Sequence, residues 1–446
     1  MSPHATGRRR VHRTVTRGLP LALAAALVAA GPAMAAPSGN ARVIRTATLG
    51  EIPLGPFSNA LLPGSVDDDH GVKLGGIGSD IYPAGRKGEY WTVTDRGPNG
   101  QIKVDGKKRR TFPVPGFDPA IVRIRVAGDA VKVVDAIPLT TSSGQAVTGL
   151  PNQKSRDEAP YTYDASTALP YDPDGLDTEG IVRAGDGTFW LVDEYGPSLI
   201  HVSARGRVLT RYVPRGLHLT GAGYPVVEAL PSVLLHRKAN RGFEGLAQLP
   251  GGDLVLALQS PLSLPDAGAG DASRTTRLLR FSPKKKAVTA EYAYRFDPVD
   301  VVDPGEDDTS ELKISSVVAV GGDRLLVEER TDRAARLQVV RLGRDADILG
   351  GRWDDDTTSP SLEQLDDPAA AGVPVLRKRL VVDLDRVSGV PEKIEGVARV
   401  DHDTLALIDD NDFGMTDGAG AFDAQGRLVD SGIRTTVTYV RVPEGL

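Results

Sequence analysis

Short runs in which apolar and polar positions alternate, punctuated by Gly, Asp and Pro, fill most of the chain, and a period of two marks half-buried β-strands. In DTEGIVRAGDGTFWLVDEYG (177–196) one strand, IVRA, leads into a Gly-Asp-Gly turn and a second, TFWLV, leads out. Folding this hairpin about Asp186 sets Glu179, ahead of the first strand, beside Asp193 and Glu194, behind the second. The pattern recurs. GFEGLAQLPGGDLVLALQS (242–260) opens on Glu244 and closes on Gln259. KISSVVAVGGDRLLVEERT (313–331) puts Ser315 in the glutamate position and closes on Glu328 and Glu329. KIEGVARVDHDTLALIDDND (393–412) opens on Glu395 and closes on Asp409 and Asp410, and a longer first copy, GGIGSDIYPAGRKGEYWTVTDRG (75–97), ends at Asp95 and Arg96.

Two more strand-like runs follow most hairpins, as in SLIHVSARG and VLTRYVP (198–214) or TRLLRFSP and AVTAEYAYRF (276–296). Units of four antiparallel strands, repeated, predict an all-β fold: a β-propeller. A pair of β-sandwiches also uses short strands, but would not repeat the same acidic punctuation. Five blades can be counted, and the length of the first unit leaves room for a sixth. The last unit stops one strand short after TTVTYVRVP (435–443), so RVIRTATLGEI (42–52) is expected to supply the missing strand and close the ring. Helical periodicity is confined to 225–239, where it is weak.

Residues 1–35 stand apart. Arg8, Arg9, Arg10, Arg13 and Arg17 precede the apolar run LALAAALVAA (21–30) and the small-residue site Ala33-Met34-Ala35, the layout of a signal peptide. The run is too short to span a bilayer, so an exported, secreted protein is expected, with residues 37–446 as a single propeller domain; Sec and twin-arginine export both stay open. Without residues 1–35, 48 of the 53 basic side chains remain against 59 acidic ones, a net charge of −11. That excess of acid argues against nucleic acid as a partner and suits a cation-binding surface. There is no cysteine, so no disulfide holds the fold. A monomer acting on a small substrate is expected.

In a propeller the inner strand and its neighbour run antiparallel, so acids that start one strand and end the next meet at one mouth of the channel. The longest connections, 97–119, 140–177 and 215–242, open on that mouth too, where function usually concentrates. Clustered carboxylates need raised pKa values or a cation, and oxygen ligands on an exported protein suit Ca²⁺. The candidate metal ligands are Glu179, Asp193, Glu194, Glu244, Glu395 and Asp409; Asp95, Glu179 and Glu244 are the candidate catalytic acids. Each could instead lock blade to blade by hydrogen-bonding loop backbone. Arg96, Lys313, Arg330 and Lys393 stand among them as candidate phosphate-binding cations, with the loop KKRR (107–110) nearby. His70 is a further residue within reach of the mouth. No Gly-x-Ser-x-Gly elbow, HExxH or P-loop is present.

Together DTEGIVRAGDGTFWLVDEYGPSLIHVSARGRVL (177–209), GFEGLAQLPGGDLVLALQSPL (242–262) and EYWTVTDRGPNG (89–100) resemble the phytase-like family, "esterase-like activity of phytase", in its exported bacterial form. The resemblance implies a β-propeller carrying repeated Glu and Asp and a phosphoester-hydrolase role. Ser315 and Ser316 depart from its Glu-Gly starts. The reading is an exported, metal-dependent phosphoester hydrolase. A propeller lactonase or carboxyl esterase, and a non-catalytic propeller whose loops Ca²⁺ orders, are the alternatives.

Overall fold

The computed structural model describes residues 41–61, 66–442 and 445–446; the expected signal peptide lies outside them. Each predicted hairpin forms, and five antiparallel blades stand around a channel. The first blade is Ile81–Pro83, Glu89–Val93, Ala120–Ala127 and Ala130–Pro138. The second is Thr178–Arg183, Phe189–Asp193, Ser198–Val202 and Val208–Pro214, extended by a parallel strand, Val226–Leu230. The third is Phe243–Gln248, Leu254–Leu258, Thr275–Ser282 and Ala287–Arg295. The fourth is Lys313–Gly321, Arg324–Arg330, Ala335–Arg341 and Lys378–Asp383. The fifth takes Ile394–Arg399, Thr404–Asp409 and Thr436–Arg441 from the end of the chain and Arg42–Leu49 from its start.

That last pairing closes the ring: Arg42 lies opposite Arg441 and Thr48 opposite Thr436. A propeller left open would expose two strand edges to solvent and to other chains. No sixth blade forms among the described residues.

Alternation along each strand feeds two cores at once. In the second blade Phe189 and Leu191 pack with Trp91 and Ile121 of the first, while Trp190 and Val192 pack with Leu256 and Phe281 of the third. Equivalent clusters fill the remaining gaps between blades.

The Glu-Gly starts now have a physical reason. Inner strands of adjacent blades crowd the channel, and a Cβ at Gly180 would lie 2.7 Å from the carbonyl oxygen of Glu244. One at Gly396 would lie 2.9 Å from the Cα of Asp80. Only glycine permits that approach. The fourth blade has Ser316 there instead, and its hydroxyl accepts from the Val397 amide at 3.1 Å.

Two local expectations change. KKRR belongs to a strand, Lys107–Thr111, paired with Gly100–Val104 and, in parallel, with Pro160–Tyr161. Segment 225–239 forms Val226–Leu230 and a 3-10 turn, Ser232–His236, because Pro225 and Pro231 break any helix. The long 344–374 connection packs on the third blade, where fully buried Arg277 donates to Glu291 at 2.7 Å and Glu363 at 2.8 Å.

Closure can be tested at Ala47, which is fully buried in Arg42–Leu49 opposite Val437. Ala47→Glu buries an unpaired charge and should cost about 3 kcal/mol or more, lowering the melting temperature of the whole domain. Thr48→Glu, on the exposed side of the same strand, should melt within a degree or two of wild type.

Candidate functional site

Period two also decides which residues at the mouth face inward. Pairing of Gly180 with Val192, Gly245 with Ala257 and Gly396 with Ile408 puts the blades in a common register. In that register Glu194, Gln259 and Asp410 occupy one position after the second strand. With Arg96 and Arg330 they line a cavity of about 800 Å³. The preceding residue points the other way in the second and fourth blades.

Asp193 is therefore absent from the cavity wall, unlike Asp95, Glu179, Glu194, Glu244, Glu395 and Asp409. Its Oδ1 accepts from the amides of Asp177 at 2.8 Å and Tyr195 at 3.1 Å. Its Oδ2 accepts from the Ser198 hydroxyl at 2.6 Å and pairs with Arg211 at 2.5 Å, both partners fully buried. The expected ligand is a strut that holds its two neighbours from behind. Glu329 behaves alike, paired with Lys378 and accepting from the Tyr294 hydroxyl.

The cavity has two unlike halves. On one side the carboxylate oxygens of Asp177, Glu179 and Glu194 lie within 4.8 Å of one another, all buried. Arg96 reaches two of them, Asp177 at 2.6 Å and Glu194 at 2.9 Å, and lies over the Tyr195 ring. Among the described residues Glu179 has no ion pair with a cation. Burial and then the charges of Asp177, Glu244 and Glu194 push its pKa well above the usual carboxylate range. Asp95, partly exposed beside them, is raised by burial and by Asp410 and Asp177.

On the other side Glu395, Asp410 and Asp412 have cationic partners, whereas both carboxylate oxygens of Glu328 are buried without a hydrogen-bond partner among the described residues. Arg330 pairs with Glu395 at 2.5 Å and donates through Nε to the Ser315 hydroxyl at 2.6 Å. Ser315 in turn bonds Glu244. Serine in the glutamate position thus makes room for a guanidinium. Lys313 pairs with Asp332 at 2.5 Å, and Lys393 with Asp410 at 2.9 Å and with Asp412. Asp409 accepts from the Thr436 amide at 2.8 Å, and burial pushes its pKa up to about 6.

A cation of the Ca²⁺ type is tested by this geometry. Asp177, Glu179 and Glu194 offer three hard oxygens, and Glu194 Oε1 is buried without a hydrogen-bond partner, which fits. Glu244 and Glu395 lean on Arg330 instead. His70 lies outside the cavity, hydrogen-bonded to the Gly426 carbonyl at 2.7 Å and packed on Tyr163.

Asp177, Asp412, Asn240 and Arg241 line or support the site without having been expected from the sequence. Asp177 had a signal. It stands two residues before Glu179, where Lys313 precedes Ser315 and Lys393 precedes Glu395.

The family described as "Phytase-like: Esterase-like activity of phytase" matches residues 72–413, from just before the first blade into the fifth. The chain belongs to the phytase-like family. An "Uncharacterized secreted protein" of the fungus Arthroderma benhamiae is 27% identical over 301 residues, 57% of this chain and 58% of that protein. Among solved structures, the PQQ-bound aldose sugar dehydrogenase of Streptomyces coelicolor is 12% identical, covering 91% of this chain and 99% of that one, at a TM-score of 0.32. Virginiamycin B lyase from Staphylococcus aureus is 10% identical, covering 82% and 97%, at 0.30. Likenesses this distant say nothing about activity. Among the described residues no helix is long and apolar enough to cross a membrane.

The two kinds of acid in this phytase-like propeller should separate on substitution. With chelator present, Asp193→Asn breaks a compensated buried pair and should cost about 3–5 kcal/mol. Glu179→Gln removes a charge that has no cationic partner and should leave the chelated protein as stable or more so. Thermal melts of both variants check the contrast.

Proposed function

We propose that the protein is an exported, metal-dependent hydrolase of phosphoesters, working in the 800 Å³ cavity. The observation that carries this reading is the acid half: three buried carboxylates around one point, one of them without a cation. Membership of the phytase-like family supports a hydrolase, and the secreted relative supports export.

Asp177, Glu179 and Glu194 would hold Ca²⁺, which when bound would neutralise phosphate oxygens and acidify a water. Arg96 holds Asp177 and Glu194 in place. Asp95, whose pKa is raised by burial and neighbouring acids, takes a proton from the attacking water as the new P–O bond forms. Glu244, also raised by burial, returns a proton to the leaving oxygen as its bond to phosphorus breaks. Arg330 and Lys393 supply positive charge to the phosphate from the opposite wall.

The pairing of Glu395 with Arg330, whose charge also acts on nearby Glu244, favours one other reading, a propeller that binds Ca²⁺ and a ligand without catalysis. A panel of phosphomonoesters, phosphodiesters and lactones, assayed with Ca²⁺ and with chelator, divides these readings. At a hundredfold excess over its dissociation constant, Ca²⁺ should stabilise the wild type by about 2.7 kcal/mol. Glu179→Gln should lose most of that gain together with Ca²⁺-dependent phosphoester hydrolysis. A Ca²⁺ gain in melting temperature equal in both proteins would refute the metal assignment.

A further inference from the structure

Arg241 sits where the chain enters Phe243–Gln248, between the second and third blades. The segment 240–242 is pinned. A Cβ on Gly242 would lie 2.3 Å from the carbonyl oxygen of Glu194 and 2.4 Å from its Cα, and Asn240 adopts a positive φ of 54°. Backbone packing therefore fixes Arg241 beside the acid half. Its guanidinium nevertheless makes no ion pair among the described residues, and its Nη1 is buried without a hydrogen-bond partner.

The other cations lining the cavity are all matched: Arg96, Arg110, Lys313, Arg330, Lys393 and Arg434 each have a carboxylate. Near Arg241 the wall is otherwise polar and unsatisfied. The side-chain oxygens of Asn240 and of Gln259, 5% exposed, are buried without partners. Either amide turned end for end presents an NH₂ instead. Lys313 completes the wall, and its pKa is lowered by burial and by the nearby charges of Arg330 and Arg241. Unpaired donors out of water cost free energy until an acceptor arrives. Positive charge in mutual repulsion calls for an anion.

We infer that Arg241, with Lys313, Asn240 and Gln259, forms a subsite for a second, non-reacting oxyanion of the substrate, a carboxylate or phosphate remote from the bond that breaks. This deepens the hydrolase reading and rests on it for the word substrate; the binding of an anion at Arg241 stands without it. Glu179 and its neighbours face the reacting ester, and Arg241 selects what else the molecule carries. Substrates with two anionic groups are then preferred over singly charged esters.

Two measurements test this on the full mature chain. First, inorganic phosphate is titrated calorimetrically in the presence of chelator into wild type, Arg241→Met and Arg241→Lys. The affinity should fall about tenfold or more in Arg241→Met, the scale of a charge-assisted hydrogen bond, and recover in part in Arg241→Lys. Second, phenyl phosphate and 3-carboxyphenyl phosphate are compared with Ca²⁺ present. The carboxylate should lower KM about tenfold in wild type, and Arg241→Met should abolish that advantage with kcat unchanged. Arg241-dependent phosphate binding without hydrolysis of either ester would uphold the subsite and retire the hydrolase. Hydrolysis with neither phosphate affinity nor KM ratio altered by Arg241→Met would overturn the subsite and leave the hydrolase. A lower melting temperature for ligand-free Arg241→Met, not restored by Lys, would mark Arg241 as a structural residue and also overturn the proposal.

Discussion

A carboxylate removed from water must find a cation, a proton or a set of N–H donors, and the mouth of this propeller is arranged by that requirement. Three solutions appear around one ring. Asp193 is answered by Arg211, a hydroxyl and two backbone amides. Glu395 and Asp410 are answered by Arg330 and Lys393. Among the described residues Glu179 is answered only by neighbouring acids. The first two solutions are structural and hold strands and loops in register. The third leaves a charge deficit at a defined point in a cavity open to ligands, and the functional reading follows from that deficit.

The propeller makes the arrangement possible because it repeats one hairpin with different end residues. The position after the second strand is Asp95, Glu194, Gln259, Arg330 or Asp410 according to the blade. Repetition supplies the geometry, and substitution within the repeat makes the mouth asymmetric: one arginine for three carboxylates on one side, mostly matched pairs on the other. Arg241 stands at the junction of these halves, fixed by the close contact of Gly242 with Glu194.

Much of the fold was legible in the chain. Hairpins centred on Gly or Asp turns, and a last unit one strand short, led to five blades and to closure by Arg42–Leu49. At the mouth the sequence left each strand end ambiguous by one residue. Strand-end acids come in pairs, and only the alternation within the formed strand tells that Glu194 faces the cavity and Asp193 turns its back. Asp193 could not be separated beforehand because its partner, Arg211, lies two strands away in the outer strand of the blade. The same distance in sequence hid the role of Ser315, whose small side chain admits Arg330 to a place that glutamate holds elsewhere. KKRR read as a loop because its charges mask a strand whose backbone pairing with Gly100–Val104 is sequence-neutral.

The central claim is that the acid half is a cation site. Anomalous diffraction from a crystal grown from chelator-stripped protein and soaked in Ca²⁺ tests it most directly. The account predicts one strong peak at about 2.3–2.6 Å from carboxylate oxygens of Glu179 and Glu194, with Asp177 completing the set and no peak between Glu244 and Glu395. An empty acid half at millimolar Ca²⁺, with Arg96 still bridging Asp177 and Glu194, would contradict it.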